Sequence, residues 1–303
     1  MSPLANQVHV DTLLSNVSIK YKSAEGIAMK VFPEVSVKKT SDLFRVYDRN
    51  LRVPETIRAN RGEARKHQFE VSTSTYVCER HSLKDLVTDT DAANYDLADL
   101  RRETTEELTE KILARLELNV ANLFTTTNWS LNVSLAATGQ WSANTTVSNP
   151  IPVVHTGSST VINNSGYKPN FGILPRDAYV AAISHLSITD RVKYTSADID
   201  AGKLAALFDL SELLVPASAY DNSALGATTT ITNFYGDNMF LGYKPPNPSP
   251  LMPSSGYTFR TSVPMVKRWR DETVEGDWIE VNMEYVPRVV ASLSGYLIRD
   301  LLA

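Results

Sequence analysis

Cysteine is almost missing: Cys78 is the only one in 303 residues. No intrachain disulfide can form, which excludes a disulfide-stapled secreted scaffold and fits folding in a reducing cytosol. Lys and Arg are missing before Lys20, and no apolar run stands in their place, so the first residues do not read as a signal peptide. No stretch reaches the roughly 18 apolar residues needed to cross a bilayer, so no membrane partner is expected. Excess positive charge is missing too. The net charge is −4, which argues against a surface built wholly for nucleic acid. The five histidines (His9, His67, His81, His155 and His185) have no metal-ligand spacing among themselves. Cys78 and His81 make a lone C-x-x-H, half a metal site at most. G-x-S-x-G, P-loop and dinucleotide fingerprints are absent, and Gly202-Lys203 lacks the upstream glycine of a P-loop. No catalytic residue, cofactor or metal is therefore expected, and the chain does not read as an enzyme. Asn16, Asn128, Asn132, Asn144 and Asn163 open N-x-[ST] triplets, which a chain rich in Asn, Ser and Thr produces by chance.

What is present is an uneven charge pattern. The length suffices for one large domain or two modest ones, and 43% hydrophobic with 21% charged residues is ordinary for a globular chain. Residues 38–70, however, carry Lys38, Lys39, Arg45, Arg49, Arg52, Arg58, Arg61, Arg65 and Lys66 against Asp42, Asp48, Glu55, Glu63 and Glu70, a net +4. The rest of the chain sums to −8. Residues 43–47 and 69–78 read as strands, the second rich in β-branched residues. The span 48–67 between them is too long for a bland connection, since structureless loops over about 12–15 residues are usually functional or disordered. A long two-stranded loop projecting from the body is expected. A basic arm that cannot bury itself, on an acidic body, points to docking onto copies of the same chain.

A one-striped helix is expected over 97–124. Leu97, Leu100, Thr104, Leu108, Ile112, Leu116, Val120 and Phe124 recur at three- and four-residue steps. Asp96 is placed to cap it, with Asp99 three residues on. Acids crowd its first half (Asp99, Glu103, Glu106, Glu107, Glu110), and Lys111 and Arg115 follow, as the helix dipole favours. Such a helix would be about 42 Å long at 1.5 Å per residue. One apolar stripe suits a spine laid across a sheet better than a coiled coil.

Elsewhere the reading is coarser. Residues 1–30 form an arm with a short helix or strand. Residues 29–37 read as a strand with Pro33 at an edge. Residues 128–165 are polar, and propensity alone reads 151–162 as strand or loop. Residues 170–174 read as a buried strand, with Pro175 opening a helix. A helix over 198–210, a strand over 213–216 and another over 238–243 follow, the last ending at a proline-rich turn over 244–253. A hairpin pairs 263–274 with 278–286 across Glu275-Gly276-Asp277. Ile279, Val281, Met283 and Tyr285 share one of its faces by period two.

These residues carry a resemblance. The tail Val266-Lys267-Arg268-Trp269-Arg270-Asp271-Glu272, then Gly276-Asp277-Trp278-Ile279-Glu280-Val281, then Ala291-Ser292-Leu293-Ser294-Gly295-Tyr296-Leu297-Ile298 resembles the C-terminus of tailed-phage major capsid proteins of the Hong Kong 97-like fold. Pro169-Asn170-Phe171-Gly172-Ile173-Leu174-Pro175-Arg176-Asp177-Ala178-Tyr179 does so as well, with Asp190-Arg191-Val192-Lys193-Tyr194-Thr195 behind it. Leu204-Ala205-Ala206-Leu207-Phe208 and Pro253-Ser254-Ser255-Gly256-Tyr257-Thr258-Phe259 complete an ordered set from about residue 30 to 300.

The resemblance implies an α+β fold with an N-terminal arm (1–30), an extended-loop hairpin (31–83), a peripheral domain with the spine helix (84–165), an axial domain (166–252), and a peripheral return with the C-terminal hairpin (253–303). It also implies a helix over 151–162, against propensity. The implied role is a self-assembling icosahedral shell of pentamers and hexamers enclosing double-stranded DNA, held non-specifically. Such a shell is built in the host cytoplasm and found in the virion. Separate scaffolding, portal and decoration proteins are the implied partners, because the chain begins too close to the loop for a fused scaffold. The inter-subunit contacts expected are Arg45, Arg49, Arg52, Arg58, Arg61, Arg65 and Lys66 of the loop against Glu103, Glu106, Glu107 and Glu110 of the helix. Some members of the fold crosslink subunits through Lys–Asn isopeptide bonds. Lys38, Lys39 and Lys66 lie in or beside the loop, where lysines are more often solvated or ion-paired. An encapsulin-like compartment is the alternative, and a cytosolic hydrolase a more distant one.

Overall fold

The computed structural model describes residues 9–20, 26–46, 56–58, 60, 62–64, 66, 72–95, 99–192, 199–224 and 226–303. The chain enters as strand β1 (His9–Val10) and helix α1 (Thr12–Lys20), then the short helix α2 (Ala28–Val31) and strand β2 (Glu34–Ser36). A ribbon of β3 (Ser41–Val46) and β4 (Ser72–Val77) follows, then strand β5 (Glu79–Thr88), helix α3 (Asp89–Asn94) and the long helix α4 (Leu100–Ala121). The middle runs β6 (Asn132–Ser134), α5 (Pro150–Ser165), β7 (Phe171–Ile173), α6 (Arg176–Ser184), α7 (Leu186–Val192) and α8 (Ala201–Leu207). It continues through β8 (Glu212–Leu214), β9 (Ala219–Asp221), β10 (Ile231–Asn233) and β11 (Met239–Gly242). Strands β12 (Gly256–Asp271), β13 (Gly276–Val289) and β14 (Gly295–Arg299) close the chain.

The first sheet has the order β1-β12-β13-β5, with β2 beside β12. Its centre is the β12/β13 hairpin, paired from Gly256↔Val289 to Asp271↔Gly276. The reversal therefore occupies 272–275, not the expected 275–277. Asp271 Oδ1 accepts the Thr273 amide at 3.0 Å, and Glu275 takes the left-handed backbone at φ +45°. Gly276 is drawn into the strand, where a Cβ would lie 2.8 Å from the Val87 carbonyl. Ile279, Val281, Met283 and Tyr285 are all buried, as their spacing predicts, against Ile112 and Leu116 of α4. The edge strand β5 was not anticipated.

Helix α4 is shorter than expected. It spans 22 residues, about 33 Å at 1.5 Å per residue. Asp99 caps it by accepting the Arg101 amide at 3.1 Å; Asp96 and Leu97 lie outside the described residues. Leu100 and Leu108 of the expected stripe are only half-buried. Thr104, Thr105 and Thr109 share the inner face instead, each hydroxyl donating to the carbonyl four residues back. The methyl groups then pack while no hydroxyl is stranded.

The second sheet has the order β6-β14-β11-β7-β8 and is covered on both faces. Phe171, Ile173, Leu214, Phe240 and Leu297 join the core under α4. Their strand neighbours Leu174, Leu213, Met239, Leu241, Tyr296 and Ile298 face α5, α6 and α8. This is strict alternation, and one core runs beneath both sheets. Gly242 and Gly295 are opposite each other in β11 and β14. A Cβ on Gly295 would sit 2.4 Å from the Trp129 ring, so the glycine pair clears space for Trp129, Phe171 and Phe240. The helix α5 overrides its propensities. Asn149 caps it, Pro150 opens it, and Gly157 admits the Tyr296 ring.

Residues 29–37 are not one strand: they are the end of α2 followed by β2. The N-terminal segments close the free edge of β12. β2 pairs in parallel with 258–260, β1 pairs with 267–268, and the Ser15 hydroxyl accepts the Val266 amide at 3.0 Å.

Candidate assembly surface

The ribbon β3/β4 stands out from the body, with most of its side chains exposed. Two residues point back and anchor it. Phe44 and Tyr76 are buried against Phe259, with ring centroids 5.3 and 4.7 Å apart. Cys78 lies in the same cluster with Val35, Tyr257 and Val286, and burial pushes its thiol above the usual range. A buried thiol of this kind is inert.

The basic residues of the ribbon divide into two groups. Arg45, Arg58 and Lys66 are exposed, while Arg49, Arg52, Arg61 and Arg65 lie outside the described residues. Arg58 donates to the Gly62 carbonyl, a turn within the loop. Lys39 pairs with Asp42 at 3.1 Å; the Leu43 amide and Lys39 hold that carboxyl below its usual range. On α4, Glu106 pairs with Arg102 at 2.9 Å and Glu103 accepts the Tyr95 hydroxyl. Glu107 and Glu110 face outward.

The residues that hold this surface rigid were missed by sequence reasoning. Glu117 is 3% exposed on the inner face of α4. Its carboxylate accepts the Ile27 and Ala28 amides at 3.0 and 2.8 Å and the Tyr235 hydroxyl at 2.6 Å. One buried charge thus caps α2 from 89 residues away and ties the spine to the segment between β10 and β11. Burial and that carboxylate drive the Tyr235 phenol far above its usual range. At the hairpin end, buried Asp277 meets Arg101 at 2.8 Å, and Arg270 forks onto both oxygens of Asp89 at 2.6 and 2.7 Å. The arginine holds the Asp89 carboxyl low. Of these, Arg270 and Asp277 carried a sequence signal, through the resemblance.

One pair looks like a nucleophile and its base. Ser148 Oγ is 2.8 Å from His185 Nε2, but the two are 0% and 1% exposed. Ser148 donates to the Thr145 carbonyl, and Ser187 reaches both His185 and the α5 cap Asn149. Burial pushes the imidazole below its usual range, which suits a neutral strut between helices. Among the described residues no His, Cys, Asp and Glu group is arranged to hold a metal, and no helix is long and apolar enough to cross a membrane.

No protein-family model matches the chain. It is 25% identical to the major capsid protein of Burkholderia phage BcepMu over 95% of each chain. A crystal structure of a phage-related protein from Bordetella bronchiseptica RB50 superposes with a TM-score of 0.80 at 24% identity, covering 96% of this chain and 97% of that one. The capsid protein of cyanophage P-SCSP1u superposes at 0.64 with 10% identity, over 99% and 92%. The α+β fold is that of phage capsid proteins.

Proposed function

We propose that this chain is a phage major capsid protein, copies of which assemble into an icosahedral shell around double-stranded DNA. The observation that carries the reading is its extent: likeness in sequence to a capsid protein and likeness in fold both run end to end, through ribbon, long helix and closing hairpin. The role is structural, and no enzymatic activity is assigned.

In this reading residues 1–30 are the arm and 31–83 the extended loop. The first sheet with α4, from 84–165 and 253–303, is the peripheral part; the second sheet, centred on 166–252, is the axial part. Strands β6 and β14 extend the axial layer beyond 166–252. Arg45, Arg49, Arg52, Arg58, Arg61, Arg65 and Lys66 lie along a neighbour's acidic helix face, toward Glu103, Glu106, Glu107 and Glu110. Exposed ion pairs contribute only about 0–1 kcal/mol each, so charge sets register while apolar burial supplies affinity. In a closed shell each weak contact is made intramolecular by the others. Scaffolding, portal and decoration proteins are separate partners, assembly takes place in the host cytoplasm, and the finished shell is part of the virion.

Light scattering with negative-stain microscopy tests this. Closed shells, or rings of five and six, are expected. A monomer at every concentration, salt and scaffold condition would overturn it. Particles filled with a protein cargo and excluding DNA would replace it with a compartment.

A further inference from the structure

Charge is not only asymmetric but, over long spans, absent. Residues 118–167 contain no Asp, Glu, Lys or Arg in 50 positions, where 21% charged content would place about ten. Residues 213–236 contain a single one, Asp221. The sheet order β6-β14-β11-β7-β8 sends these two spans to opposite edges of the second sheet. The first supplies β6 and α5, which lies over β14 beside it. The second follows from β8 into the β9/β10 hairpin.

Both flanks are exposed. Val147 and Ile162 on the first are 70% and 40% accessible, and Ile231 on the second 70%. Several of their exposed polar groups are satisfied within the chain, while Trp141 Nε1, Ser218 Oγ and Thr232 Oγ1 are buried without a partner among the described residues. Thr156 and Thr160 donate to carbonyls four residues back, and Asp221 accepts the Ser223 and Thr230 amides at 2.9 and 3.0 Å. Two bordering charges are engaged: Asp300 accepts from Ser134, and Glu212 pairs with Lys244 at 2.7 Å. A surface meant for water normally carries interspersed charges. One without them can be covered without stripping water from ions.

We infer that the uncharged β6/α5 flank of one copy docks onto the uncharged β8–β10 flank of the next copy. This rests on the shell reading and names the contact that closes its rings. Two different patches on opposite edges make a heterologous, head-to-tail contact, the kind that generates rings. A self-complementary contact would need only one.

The test uses the whole chain with two exposed substitutions, Ile162→Glu and Ile231→Glu, each first checked for an unchanged circular dichroism spectrum and melting temperature. Wild type should form rings or shells, and each variant alone should lose them, because every contact then contains one altered flank. Mixed in equal amounts, the two variants should give a dimer of one copy of each and nothing larger, since one intact contact remains. Rings from either variant alone, or a mixture that stays monomeric, would overturn the head-to-tail contact and leave the shell reading standing. A wild type that never assembles would overturn the shell reading itself.

Discussion

Glu117 shows what a single residue decides. A carboxylate buried without partners is costly, and this one is tolerated because three donors converge on it. Replacing it by Leu leaves the Ile27 and Ala28 amides and the Tyr235 hydroxyl unpaired in the core. At about 1–3 kcal/mol for each stranded group, partly relieved by relaxation, Glu117→Leu should destabilise the fold by about 2–4 kcal/mol. Urea titration should show this as a lower midpoint at an unchanged slope. Histidines set a second expectation. Burial pushes both His185 and His81 below the usual imidazole range, His81 while stacked 4.2 Å from the Tyr285 ring. A base whose folded pKa is depressed is protonated more readily unfolded. Its stabilisation is therefore present above the unfolded value of about 6.5 and lost as pH falls below it. The urea midpoint should drop between pH 7 and 5, above the range where ordinary carboxylates titrate. His81→Phe, which keeps the ring stack, should weaken that dependence; an identical slope with pH in the variant would remove His81 from the account.

At the scale of elements, the β12/β13 hairpin and α4 were legible because their signals are local: period two on one strand and a three-four stripe on one helix. The stripe was read too long at both ends, since side-chain spacing does not mark where backbone hydrogen bonding stops. Helix α5 was legible only through the resemblance. Val153, Val154, Thr156, Gly157 and Thr160 are weak helix formers, and the helix is held by its cap, Gly166 at φ +71° and the fit of Gly157 against Tyr296. Helix α2 was misread because its cap is Glu117, far away in sequence. Strand β5 was missed because most of its side chains are exposed on both faces, so no alternation announces it. The ribbon was legible from composition, but its anchor was not. Tyr76→Ala removes the ring stacked on Phe259, and truncating a buried aromatic typically costs about 3–5 kcal/mol. Because Phe44 stays in place, the expected outcome is local: faster protease cleavage within 47–71, with the melting of the rest of the molecule little changed. Uniform loss of stability would mean that ribbon and body unfold as one unit.

At the scale of the whole molecule, charge and neutrality are segregated, and the two kinds of surface make opposite predictions about salt. The basic loop, net +4 over 38–70, faces a chain whose remainder is net −8. Contacts between them are screened beyond about 8–10 Å at physiological ionic strength, so high salt should slow the joining of rings into shells. The uncharged flanks of the second sheet have nothing to screen, and excluded salts such as sulfate should strengthen their burial. The two contributions separate by mutation. Reversing Arg58, Arg61 and Arg65 to Glu takes six charge units off the loop, so under the proposed docking it should repel an acidic neighbour. The folded monomer should keep its stability within about 0.5 kcal/mol per substitution, as surface changes usually do, read as a little-changed urea midpoint. Assembly should stop at rings, because the ring contact lies on uncharged flanks and the loop joins what the flanks have built. Normal shells from the triple variant would remove the loop charges from the assembly account. A variant arrested as monomers would mean that the loop acts before the ring closes.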